Sequence, residues 1–139
     1  MAILIYANLK DSSKERLFNE ISIIPKLGPI IVHDHESFAH VLKWNVSDPR
    51  VIVFLALDHD DLAFVLSQKK FLSDYRLIMI LPDSNEESIS KGHSLYPRFL
   101  TYRDGDFKDV AAVLEKMLEY MNSQNKRHFE SEQIMSARN

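Results

Sequence analysis

The stretch PRVIVFLALDHDDLAF, residues 49–64, decides the fold. From Val51 to Leu57 no charged residue interrupts it; then Asp58, His59, Asp60 and Asp61 arrive together. A continuous apolar run rich in β-branched residues reads as a strand covered on both faces, the kind found in a parallel sheet flanked by helices. Acids at the end of such a strand have two readings. They can be chemistry at the carboxyl edge of the sheet, or they can be the start of the next helix.

Four more runs of the same kind lie on either side: AILIYA (2–7), PIIVH (29–33), RLIMIL (76–81) and RFLTY (98–102). Between the runs, apolar residues recur at helical spacing. Phe38, Val41 and Leu42 share one face, as do Leu62, Val65 and Leu66 with Leu72, and Val110, Val113, Leu114, Met117 and Leu118. Start signals precede several of these segments. Ser12 with Glu15 and Ser84 with Glu87 have capping-box spacing, Asp60 and Asp106 stand at N-cap positions, and Asp61 suits the helix dipole. Five strands alternating with five helices predict an α/β, doubly wound, five-stranded parallel sheet with helices on both faces, strand order 2-1-3-4-5.

Composition narrows the function. A chain of 139 residues suits one domain and can bury roughly two-thirds of its unfolded surface. The net charge of −3 argues against a nucleic-acid binder, which wants a basic face. No cysteine is present, so disulfides, zinc–thiolate sites and cysteine nucleophiles are excluded. MAILIYAN lacks the basic flank of a signal peptide, and no run approaches the ~20 residues of a membrane span, so the expectation is a cytoplasmic domain. The expected domain covers 1–121. Residues 122–139 are polar apart from Phe129, Ile134 and Met135 and are expected as a C-terminal tail, a helix extension or a linker.

No phosphate cradle is available, because Gly28, Gly92 and Gly105 stand alone. His33 and His35 fall on one side of an extended segment and His59 ends another strand. In the 2-1-3 order those strands are separated by about 10 Å, so no metal and no cofactor is expected. Ser84, His59 and Asp58 do not make a catalytic triad without a nucleophile elbow. Asp58, Asp60 and Asp61 are read as helix-start residues.

The order and spacing of the elements over residues 2–121, with the strings PRVIVFLAL and RFLTYRDGDFKDVAAVLEKML, resemble the receiver domains of two-component response regulators. The resemblance implies a receiver-like fold with the phosphorylation chemistry removed. Where the family holds magnesium with two acids after its first strand, this chain has Ala7 and Asn8. The phosphoacceptor position falls on Leu55, the Ser/Thr position on Leu81, the lysine on Tyr102 and the following proline on Arg103. The aromatic switch position is retained as Phe99. Asp58 lies three residues beyond the matched phosphoacceptor position, about 10 Å along an extended chain.

The resemblance thus implies a pseudo-receiver: a non-catalytic signalling module, acting through protein–protein interaction without aspartyl phosphorylation. It would bind a protein partner, or a second copy of itself, through the helix after the fourth strand, the fifth strand and the last helix. The candidate contact residues are Lys91, His93, Tyr96, Arg98, Phe99, Tyr102 and Arg103; no nucleic acid and no membrane is expected. Two alternatives stand beside it. One is a receiver still phosphorylated, at the displaced Asp58. The other is a small apolar-ligand binder using the crevice between strands 1 and 3, lined by Tyr6, Asn8, Leu55, Leu81 and Tyr102, where the ring of Tyr102 is expected to close over the former pocket beside Leu55 and Leu81.

Overall fold

The structure is a computed structural model that describes residues 2–25, 27–44 and 49–137. Its strands are β1 (Ala2–Ala7), β2 (Ile30–Val32), β3 (Pro49–Leu55), β4 (Arg76–Leu81) and β5 (Phe99–Tyr102). Its helices are α1 (Lys14–Ile21), α2 (His35–Trp44), α3 (His59–Ser67), α4 (Lys69–Leu72), α5 (Glu86–His93) and α6 (Lys108–Ala137). The strands form one sheet in the order β2-β1-β3-β4-β5, and every pairing is parallel. This is the doubly wound, flavodoxin-like arrangement expected from the sequence.

The continuous apolar runs have the cause inferred for them. Alternate side chains of β1, β3 and β4 enter two separate cores. Leu4, Tyr6, Ile52, Phe54, Leu77, Met79 and Leu81 pack with Phe38, Val41 and Leu42 of α2, Leu62 and Val65 of α3, and Leu72 of α4. Ile3, Ile5, Ala7, Val51, Val53, Leu55, Ile78 and Ile80 pack on the opposite face with Leu17 and Ile21 of α1 and Val110 and Leu114 of α6. A strand buried on both faces has no polar side to alternate with. Each of these aliphatic side chains, fully buried, contributes roughly 1.5–3 kcal/mol of transfer free energy.

Two local expectations change. The helix expected over DDLAFVLSQKKFL is two helices, α3 and α4, parted at Gln68, whose φ of −95° and ψ of 7° leave the helical region. Neither Gly nor Pro marks that break, so the sequence carried no sign of it. The last helix continues without interruption to Ala137, so the expected tail takes the form of a helix extension. The side chains of Phe129, Ile134 and Met135 lie outside those described.

Candidate functional site

The carboxyl edge of the sheet, where ligands bind in open α/β folds, is lined by aspartates, and each leads a helix. Asp11 accepts the Ser13 backbone N–H at 2.8 Å before α1. Asp34 accepts Ser37 N–H at 2.6 Å in the first turn of α2. Asp58 accepts Asp61 N–H at 3.0 Å before α3. Asp83 accepts Asn85 N–H at 3.1 Å before α5. Asp106 accepts Lys108 N–H at 3.0 Å before α6. The first N–H groups of a helix have no partner within it, and an anion there also meets the positive end of the helix dipole.

Asp58, rather than the expected Asp60, is the N-cap of α3, and Asp60 is a first-turn residue. The expected capping boxes are replaced in the same way. Ser13 and Asn85 precede α1 and α5 without making side-chain caps. Asp11 and Asp83, each two residues earlier, take the backbone N–H of those residues instead. A carboxylate accepts more strongly than a hydroxyl.

Two of these acids also hold a cation or a histidine. Arg103 donates to Asp11, which is fully buried. Arg16 ties the same corner together, donating to the carbonyls of Gly105 and Arg103 and to the Ser13 hydroxyl. His59 Nε2 lies 2.8 Å from Asp83 Oδ2. His33 Nδ1 donates to the Ala7 carbonyl at 2.8 Å. Among the described residues, no group of three His, Asp or Glu side chains is placed to hold a metal ion.

Asp61 has a different role from the dipole complement expected of it. It is buried, and three groups converge on it. The Tyr6 hydroxyl donates to Oδ1 at 2.7 Å, His35 Nε2 lies 2.7 Å from the same oxygen, and the Leu57 backbone N–H donates to Oδ2 at 2.9 Å. The rings around it are ordered as well. Tyr6 stacks on Phe54 at 4.3 Å between centroids, Phe38 meets Phe54 edge-on at 5.2 Å, and His35 stacks on Phe64 at 4.0 Å. This network joins β1, α2 and α3 at one point. Sequence reasoning did not find it, because Tyr6, His35 and Asp61 are far apart along the chain and each has a common bland role alone.

Burial, then the hydrogen bond to Asp61 and its negative charge, push the Tyr6 hydroxyl above its ordinary value of 10.0. The neutral phenol is therefore favoured by folding. Its stabilisation is complete below pH 10, the unfolded value, and is lost as pH rises from there through the folded value. Unfolding free energies measured at several alkaline pH values should fall more steeply for the native chain than for Tyr6→Phe, by up to about 1.4 kcal/mol per pH unit. Parallel alkaline limbs would contradict this placement of Tyr6.

The five positions matched to the receiver pocket do not form one cluster. Ala7 and Leu55 are buried in the α1/α6 core, whereas Leu81 and Tyr102 pack in the core on the other face. Leu81 and Tyr102 are register partners in β4 and β5. Tyr102 therefore lies beside Leu81 as expected, but not beside Leu55. The strand alternation that fills both cores puts them on opposite sides. Asn8 sits above β1 and its side chain accepts Lys10 N–H at 2.9 Å. Tyr6, expected to line a ligand crevice, is fully buried among Phe38 and Phe54.

Of the expected contact residues, His93, Tyr96 and Arg98 are exposed and Lys91 is half-exposed, in an ion pair with Glu87 at 2.8 Å. Tyr96 stands 83% exposed at a φ of 52°, the left-handed region, with the Lys69 ammonium 5.5 Å from its ring centroid. The other three are drawn into the fold. Phe99 packs on the α1/α6 core, Tyr102 on the opposite one, and Arg103 is committed to Asp11.

Comparison with known proteins finds no family model that matches this chain and no curated relative that matches it. Among the described residues, no helix is long and apolar enough to cross a membrane.

Proposed function

We propose that the chain is a receiver-like signalling module that works by protein–protein interaction and performs no aspartyl phosphorylation of its own. The observation that carries this reading is the occupation of the carboxyl edge. Asp11, Asp34, Asp58, Asp83 and Asp106 each accept a helix-start N–H. Asp11 is further neutralised by Arg103, in the corner where a phosphorylated receiver would need a free acid for its metal. At the matched phosphoacceptor position an apolar leucine, Leu55, is turned into the core.

Partner contact would use the exposed part of the face formed by α5, the loop into β5 and α6: Lys91, His93, Tyr96 and Arg98. Tyr96 is the anchor, since large amphipathic rings supply much of an interface's energy at small entropic cost. Tyr96 stands 83% exposed just after the end of α5. A cytoplasmic location belongs to the same proposal.

Magnesium provides the test. Titrating Mg²⁺ to millimolar concentration while following backbone amide resonances should leave Asn8, Asp11, Asp58 and Asp83 unmoved. Saturable shifts confined to those residues would favour the alternative of a working receiver with displaced ligands.

A further inference from the structure

At the opposite end of the sheet lies a basic cluster of which the partner-contact reading uses Arg98 alone. Arg76 opens β4, Arg98 immediately precedes β5, and Lys116 projects from α6. With Val113, Met117 and Tyr120 they line one cavity of about 420 Å³. No acid is among the lining residues. Glu115 and Glu119, on the same helix, line a different groove with Ile24, Pro25 and Leu27. Among the described residues, none of the three cations makes an ion pair. The Arg76 guanidinium lies 5.1 Å from the centroid of the Tyr120 ring, which is 54% exposed.

Three cations in one concavity, none ion-paired among the described residues, within a chain of net charge −3, are not explained by the stability of the fold. Like charges held together repel, and an anion relieves that repulsion. Two guanidinium forks with an ammonium suit the several oxygens and the double charge of a phosphoryl group better than a single carboxylate. Val113, Met117 and the Tyr120 ring give the cavity an apolar floor. Its volume is within the roughly 300–1,000 Å³ of small-molecule sites.

We infer that this cavity binds a small phosphorylated molecule with an apolar or aromatic body. The phosphoryl group is held by Arg76, Arg98 and Lys116, and the body rests on Val113, Met117 and Tyr120. β4 separates this site from the carboxyl edge by about 17 Å, so the inference holds whether or not the receiver-like reading does.

Phenyl phosphate and inorganic phosphate are the probes, titrated separately into the full chain at low salt while amide resonances are followed. Phenyl phosphate should give saturable shifts at Arg76, Arg98 and residues 113–120. It should bind roughly tenfold more tightly than inorganic phosphate, because its ring covers the apolar floor. The Arg76→Gln/Arg98→Gln double variant should lose at least roughly tenfold in affinity. Lys116→Gln, on the exposed side of α6, should weaken binding in the same direction, which keeps the test available if the double variant folds poorly. Equal affinity for the two probes, shifts spread evenly over other basic residues such as Lys69, Lys70 and Lys91, or unchanged binding by the Lys116→Gln protein would each overturn the inference.

Discussion

Replacing Asp61 with alanine is expected to destabilise the fold by about 3–5 kcal/mol, the usual cost of removing one partner from a buried charged network. The substitution strands the Tyr6 hydroxyl and the Leu57 N–H, and releases His35 from the start of α2. Three elements would lose their common anchor at once. A domain of this size holds only about 5–15 kcal/mol in total, so the loss should be visible as a large shift of the urea midpoint. The control is Asp58→Asn, three residues earlier. Asparagine is as good an N-cap as aspartate, so that variant should change stability by less than about 0.5 kcal/mol. Equal midpoints for the two variants would show that the network around Asp61 adds nothing beyond helix capping.

The second large effect belongs to Arg103. Asp11 is fully buried, and the guanidinium of Arg103 is its counter-charge. Arg103→Met keeps much of the side chain's volume but leaves the carboxylate with the Ser13 backbone N–H alone. The expected cost is again about 3–5 kcal/mol. Asp11→Asn in the Arg103→Met background removes the stranded charge while keeping an acceptor for the Ser13 N–H. It should restore about 1–3 kcal/mol. The pair is incompletely satisfied even in the native chain, since Asp11 Oδ2 and Arg103 Nε have no hydrogen-bond partner among the described residues. Full additivity of the two substitutions would mean that the residues act independently and that the corner is held by Arg16 instead.

These two sites mark the limit of what the sequence could disclose. The sheet was legible because double burial forces continuous apolar runs, and five such runs separated by helical spacing admit few topologies. Asp58 and Asp60 were legible as helix-start residues because that role is local, although the cap itself is Asp58 rather than the expected Asp60, and the buried role of Asp61 was not legible. The choice of cap was less so, since serine and aspartate compete and only the backbone path decides between them. Pairings such as Tyr6 with Asp61, or Asp11 with Arg103, are set by tertiary geometry and have no local pattern. The two-layer split of the matched pocket, by contrast, could have been read from strand parity. Leu55 and Leu81 end neighbouring strands, and the register that pairs Leu55 with Ile80 puts Leu81 on the other face.

The most direct test of the central claim is the intact mass of the chain after incubation with acetyl phosphate and Mg²⁺. The account predicts an unmodified mass, because the matched phosphoacceptor is Leu55, turned into the core, and the edge carboxylates already serve helix starts or buried partners. A single phosphate adduct that disappears in Asp58→Asn would contradict it and establish the chain as a working receiver.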